Sequence, residues 1–214
     1  MHARREQERY RDGEARLPSA EDHDARQRQL TRMGNAAAGA GISELMAGDT
    51  AAAREWFGKA VDRYRESYEH APRGSWGRPI GILKAEVLAD DWDAAARDAE
   101  WTLSEGAAEA ESPIGRYAAC LAFLVLGRNE EARVLADGLR THDDFPAAVG
   151  DALAMLAAQD VVGYIEAIEA VLESFETRDE YLEDLPVADT VLVLQELAAR
   201  RGMQAELSSP LLPG

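Results

Sequence analysis

Any chemistry in this chain would have to come from a short list of residues. Histidines stand at 2, 23, 70 and 142, with no pair four apart and no His-Glu-x-x-His, so the spacing offers no zinc-binding helix face. Cys120 is the single cysteine, which excludes an intramolecular disulfide and a cysteine-based metal cluster. It lies in Tyr117-Ala118-Ala119-Cys120-Leu121-Ala122-Phe123-Leu124, where apolar neighbours raise a thiol pKa, so it reads as a small buried hydrophobe rather than a nucleophile. No serine stands in a Gly-x-Ser-x-Gly elbow. Gly34 and Gly39 have the spacing of a phosphate-binding loop, but Ala40 and Gly41 replace its lysine and hydroxyl residue, so close helix packing is the better reading. His142-Asp143-Asp144 combines a base with two carboxylates between helices, where Asp144 reads as a helix N-cap. Asp90-Asp91-Trp92-Asp93 lacks the glycine and distal glutamate of a calcium loop. Glu105, Glu109 and Glu111 read as solvated surface. With no convergent constellation, the chain reads as a non-enzyme without metal or cofactor.

A binding signal is better supported. In Arg73-Gly74-Ser75-Trp76-Gly77-Arg78, Trp76 lies between two arginines in a loop leading into a helix, and both residue types are enriched where interfaces hold most of their energy. Two readings stand side by side: Trp76 anchors a partner, or it plugs the gap between neighbouring helix pairs.

Charge limits the partners. Forty acidic residues against 23 basic ones give a net charge of −17, which repels a phosphate backbone, so nucleic acid is not an expected partner. Residues 1–33 hold eight arginines against seven carboxylates, so a near-neutral segment precedes a strongly acidic body. Only Lys59 and Lys84 are lysines. A halophile's acidic surface, screened within about 3 Å in molar salt, and a GC-rich genome favouring arginine codons both fit this bias. No apolar run approaches the roughly 18 residues of a membrane span, and the charged stretch His2 to Arg9 is unlike a secretory leader; a cytoplasmic protein is expected.

The elements that must position these residues are helices. Beyond residue 34, apolar residues recur at three and four, and alternating strand segments are absent. First helices are predicted near 35–47, 78–89, 113–126, 147–158 and 186–201, and second helices near 50–70, 92–105, 129–140 and 161–177. Turns at Gly48, Asp90, Gly127 and Gln159 separate the members of each pair. The expected organisation is a charged arm or surface helices over 1–33, one helical-repeat domain over 34–203, and an extended tail over 204–214 whose Leu211 and Leu212 fold back onto the last helix.

The first pair resembles a tetratricopeptide repeat: Gly41 takes the small position of its first helix, and Ala53, Phe57 and Ala60 take the packing positions of its second. Ala95, Ala132 and Ala152 keep parts of that pattern. The resemblance implies an all-α fold of antiparallel helical hairpins stacked as a tetratricopeptide-like α-solenoid. First helices line the concave face in such stacks, so Arg78, Lys84, Arg116 and Tyr117 would join Trp76 in a partly cationic protein-binding patch.

Residues 191–213 resemble the C-terminal signature of immunity protein family 49, carried by Leu197-Ala198, Gly202, Ser209 and Leu212-Pro213, with Gly163 to Ala167 and on to Leu172 similar to its preceding helix. That resemblance implies a protein that binds and neutralises a toxin. The reading is thus a non-enzymatic protein binder with a protein partner, of open oligomeric state. The alternative is an enzyme or small-molecule sensor using the concave cleft.

Overall fold

A computed structural model describes residues 2–19, 21–181 and 184–214. Among these there are ten α-helices and no strand, and no helix is long and apolar enough to cross a membrane. The helices are α1 (His2–Ala15), α2 (His23–Met46), α3 (Thr50–His70), α4 (Gly77–Leu88), α5 (Trp92–Ser104), α6 (Pro113–Val125), α7 (Asn129–Arg140), α8 (Ala147–Ala158), α9 (Val161–Glu176) and α10 (Asp189–Ala199), with a short 3-10 turn at Ala107–Glu109.

The predicted turns share one geometry. Gly48, Asp90, Gly127 and Gln159 all adopt left-handed backbone, with φ of 81°, 58°, 71° and 57°. After each, the next amide returns to the helix it has just left: Asp49 to Glu44 O, Asp91 to Glu86 O, Arg128 to Phe123 O and Asp160 to Met155 O, at 2.8–3.0 Å. This closure satisfies a helix's orphan carbonyls and stops it. Gly202 (φ 68°) ends α10 likewise, with Met203 N–H donating to Ala198 O. Starts are equally local, since Asp49, Asp160 and Ser112 accept from the amides of Ala52, Gly163 and Gly115. The expected cap at Asp144 does not form. Its amide instead donates to His142 Nδ1, and α8 starts behind Pro146 without a side-chain cap.

The chain contacts gather into two compact units, 1–91 with 180–186 and 213–214, and 92–179 with 187–212. In the first, α2 begins at His23, twelve residues before the predicted start, because Asp22 caps it. Leu30, Met33, Gly34, Ala37, Ala40 and Gly41 then form one buried stripe along the middle of the helix. Small residues on that stripe admit aromatic rings. A Cβ at Gly41 would lie 2.7 Å from the Phe57 ring, and Cβ atoms at Gly34 and Gly81 would each lie 2.6 Å from the two sides of Tyr64. Ala53, Phe57 and Ala60 are buried. α1 packs on α2 and is tied in: the Tyr10 ring meets Trp56 edge-on at 5.5 Å, and buried Glu6 accepts from Arg5 and Arg9.

The second unit is built around α6, in which every residue from Tyr117 to Leu124 is buried, as a helix apolar all round requires. Ala132 and Ala136 of α7 and Ala152 and Leu153 of α8 are buried too. Residues 203–209 carry no helix; Gln195 grips their backbone at both the N–H and the C=O of Ala205, and Ala188 N–H donates to Leu211 O.

Candidate functional site

The residues singled out for binding go to different places. Trp76 is 8% exposed, so its indole lies in the interior of the first unit rather than on a loop surface. Tyr117 is equally buried, its ring 5.4 Å from that of Phe145. Lys84 is half-buried along α4. Arg78 is half-buried and engaged within the chain. One of its terminal nitrogens donates to Gln27 Oε1 on α2, and Nε donates to Ser67 Oγ on α3 at 3.3 Å. Ser67 in turn donates to the Gln27 carbonyl at 2.8 Å and lies 2.8 Å from the Thr31 hydroxyl. Burial lowers the Arg78 pKa from its usual value, and the oxygens it donates to, on Gln27 and Ser67, are neutral. Arg78 therefore clamps α4 to α2 and α3.

Arg116 opens onto a cavity. It lies on the first turn of α6, one residue after the amide that Ser112 caps. Nε donates to the carbonyl of Ala110 at 3.2 Å, which aims the guanidinium across the 3-10 turn toward α7. There it helps line a groove of about 280 Å3 with Val134, Leu135 and Gly138 of α7 and with Glu109 and Glu111. Gly138 leaves the space open: a Cβ there would come within 3.9 Å of Arg116 Nη1. Val134 is 72% exposed although apolar, and both glutamates are exposed. Among the described residues Arg116 makes no ion pair, its one side-chain hydrogen bond being to Ala110. The groove therefore offers a cation held in place, an apolar wall and two carboxylates at one side.

Cys120 is fully buried, and burial pushes its thiol up to about 12, so it stays protonated and unreactive at neutral pH.

Several polar groups escaped sequence reasoning. His23 and His70 are 47 residues apart, yet their Nδ1 atoms meet at 2.9 Å. Arg201 threads into the second unit, donating to the carbonyls of Leu124 and Leu197 and to Asn129 Oδ1, and burial lowers its pKa. Glu6 alone had a signal, since Arg9 follows it three residues on, a spacing that meets on a helix. Comparison with protein-family models, with curated proteins and with solved structures found no match.

Proposed function

We propose that this chain is a non-enzymatic helical-repeat protein that binds another protein, with the Arg116 groove as the docking point. The tetratricopeptide-like part of this reading is supported by the first hairpin, where Gly41 of α2 receives the ring of Phe57 from α3. The observation that carries the reading is Arg116 itself: in a chain with 40 acidic residues, this guanidinium forms no ion pair among the described residues and faces a groove walled by exposed Val134. A held cation beside exposed apolar surface suits an anchor pocket. The occupant is a loop of a basic protein. Its net positive charge complements −17 and steers the encounter, its apolar side chain covers Val134 and Leu135, and an adjoining carboxylate or carbonyl accepts from Arg116. The resemblance of residues 191–213 to immunity proteins supports a toxin as that partner.

The products of the genes flanking this one are the partners to test, each purified and titrated against the full chain by calorimetry. One of them should bind. Arg116→Ala with Val134→Asp should then weaken binding about 30-fold or more, with the melting temperature unchanged. Binding that survives this pair of changes moves the interface elsewhere. If every flanking product fails while small carboxylates saturate the groove, the reading becomes that of a small-molecule sensor.

A further inference from the structure

We infer that His23 and His70 form a two-imidazole site for a divalent late transition metal, with Ni2+ or Cu2+ the best geometric fit. His23 is the first residue of α2 and His70 the last of α3, so each ring sits at a helix end whose backbone is already fixed. One turn further in, Ser67 bonds to the Gln27 carbonyl, and Arg26 pairs with Glu66 at 2.5 Å. These contacts hold the two helices in the register that brings the rings together, with centroids 5.0 Å apart and tilted by 43°. The pair is exposed, so an ion reaches it from solvent.

Only one hydrogen fits between Nδ1 atoms 2.9 Å apart, so at least one ring presents a bare lone pair to the other. Neutral imidazole is the commonest protein ligand for these metals. Metal–nitrogen bonds of about 2.0–2.1 Å meeting at a right angle place the two nitrogens about 2.9 Å apart, the separation already present, whereas a tetrahedral ion needs them about 0.4 Å further apart. Right-angle coordination by nitrogen is the preference of Ni2+ and Cu2+. Turning each exposed ring by about 45° directs both lone pairs toward one point, and the metal takes the place of the shared hydrogen. Among the described residues no group of three or more His, Cys, Asp or Glu could hold a metal ion, so water completes the coordination. The bound ion clips the start of α2 to the end of α3.

Thermal melts and calorimetry of the full chain with NiCl2 test this at pH 7.5. His2→Ala with His142→Ala serves as the background, which removes the other two imidazoles. Ni2+ should raise the melting temperature in that background, because a ligand bound only to the folded state stabilises it. His23→Ala or His70→Ala should each weaken Ni2+ binding at least ten-fold and remove the rise. Binding equally tight without His23 or His70 assigns the metal to surface carboxylates and overturns the site, as does a parent chain whose melting does not respond to Ni2+.

Discussion

The two units fill their interiors by opposite means. In the first, α2 contributes mostly glycine and alanine, and rings from α3 lie directly on that surface, with Tyr64 between Gly34 and Gly81. Polar side chains run through the same packing: Gln27, Ser67 and Thr31 bond one another across α2 and α3, Arg78 joins them from α4, and Glu6 is buried beneath α1. In the second, α6 is a buried, mostly aliphatic rod that also carries Tyr117 and Phe123, and Arg201 enters among helix-end carbonyls. Apolar bulk drives burial in both, but it does not choose a register. Directional bonds between α2 and α3 penalise sliding or rotation, because a displaced buried donor or acceptor costs about 1–3 kcal/mol. The second unit reaches its arrangement through shape, as where Gly150 lets α8 approach the α7 backbone so closely that a Cβ would lie 2.9 Å from Arg140 Cα.

The largest expected effect probes the ring packing of the first unit. Trp76→Ala removes a side chain that is 8% exposed and should cost about 3–5 kcal/mol, read as a large fall in melting temperature. A variant that melts like the parent would put Trp76 back on the surface and revive it as an anchor for partners.

Next come the two half-buried arginines. Arg201→Met removes the bonds to the Leu124 and Leu197 carbonyls and to Asn129, and should cost about 2–3 kcal/mol by denaturant unfolding. Arg78→Met loses two bonds to neutral side chains and should cost about 1 kcal/mol. The reverse order would mean that the polar network, rather than ring packing, is the main support of the first unit.

Cys120 reports on the aliphatic unit through pH. Its folded pKa is raised from 9.0 to about 12, so the folded state keeps a proton that the unfolded state releases. The contribution is whole below pH 9 and is lost as pH rises from there toward 12. Cys120→Ala should flatten that alkaline decline, and a thiol reagent at pH 8 should label the native chain only as fast as it unfolds. Rapid labelling would show that the core around α6 opens readily.

The smallest effect tests the turns, where the two units are alike. Gln159 holds left-handed backbone at φ 57° where Gly48 and Gly127 serve elsewhere, so Gln159→Gly should stabilise by about 0.5 kcal/mol. No gain would mean that the Gln159 side chain contributes contacts as large as the backbone strain it brings.

What the sequence determined by itself was local. Helix ends depend on neighbours within five residues, so the turns at 48, 90, 127 and 159, and helices such as 50–70, 129–140 and 147–158, were legible from spacing. The start of α2 was not, because its first turns are polar around only Leu30 and Met33, and the stripe is apparent only once both are seen buried against neighbouring helices. The fate of individual side chains was decided by tertiary packing. Trp76 and Tyr117 could anchor a partner or fill an interior with equal chemical justification, and packing buried both. Arg78 and Arg116 look alike in sequence, yet one faces the oxygens of α2 and α3 while the other faces an open groove. His23 and His70 meet because α2 and α3 pack antiparallel, bringing the first residue of one beside the last of the other. Backbone capping is a short-range interaction that a few residues complete, whereas a side chain's partners come from whichever helix face packs over it.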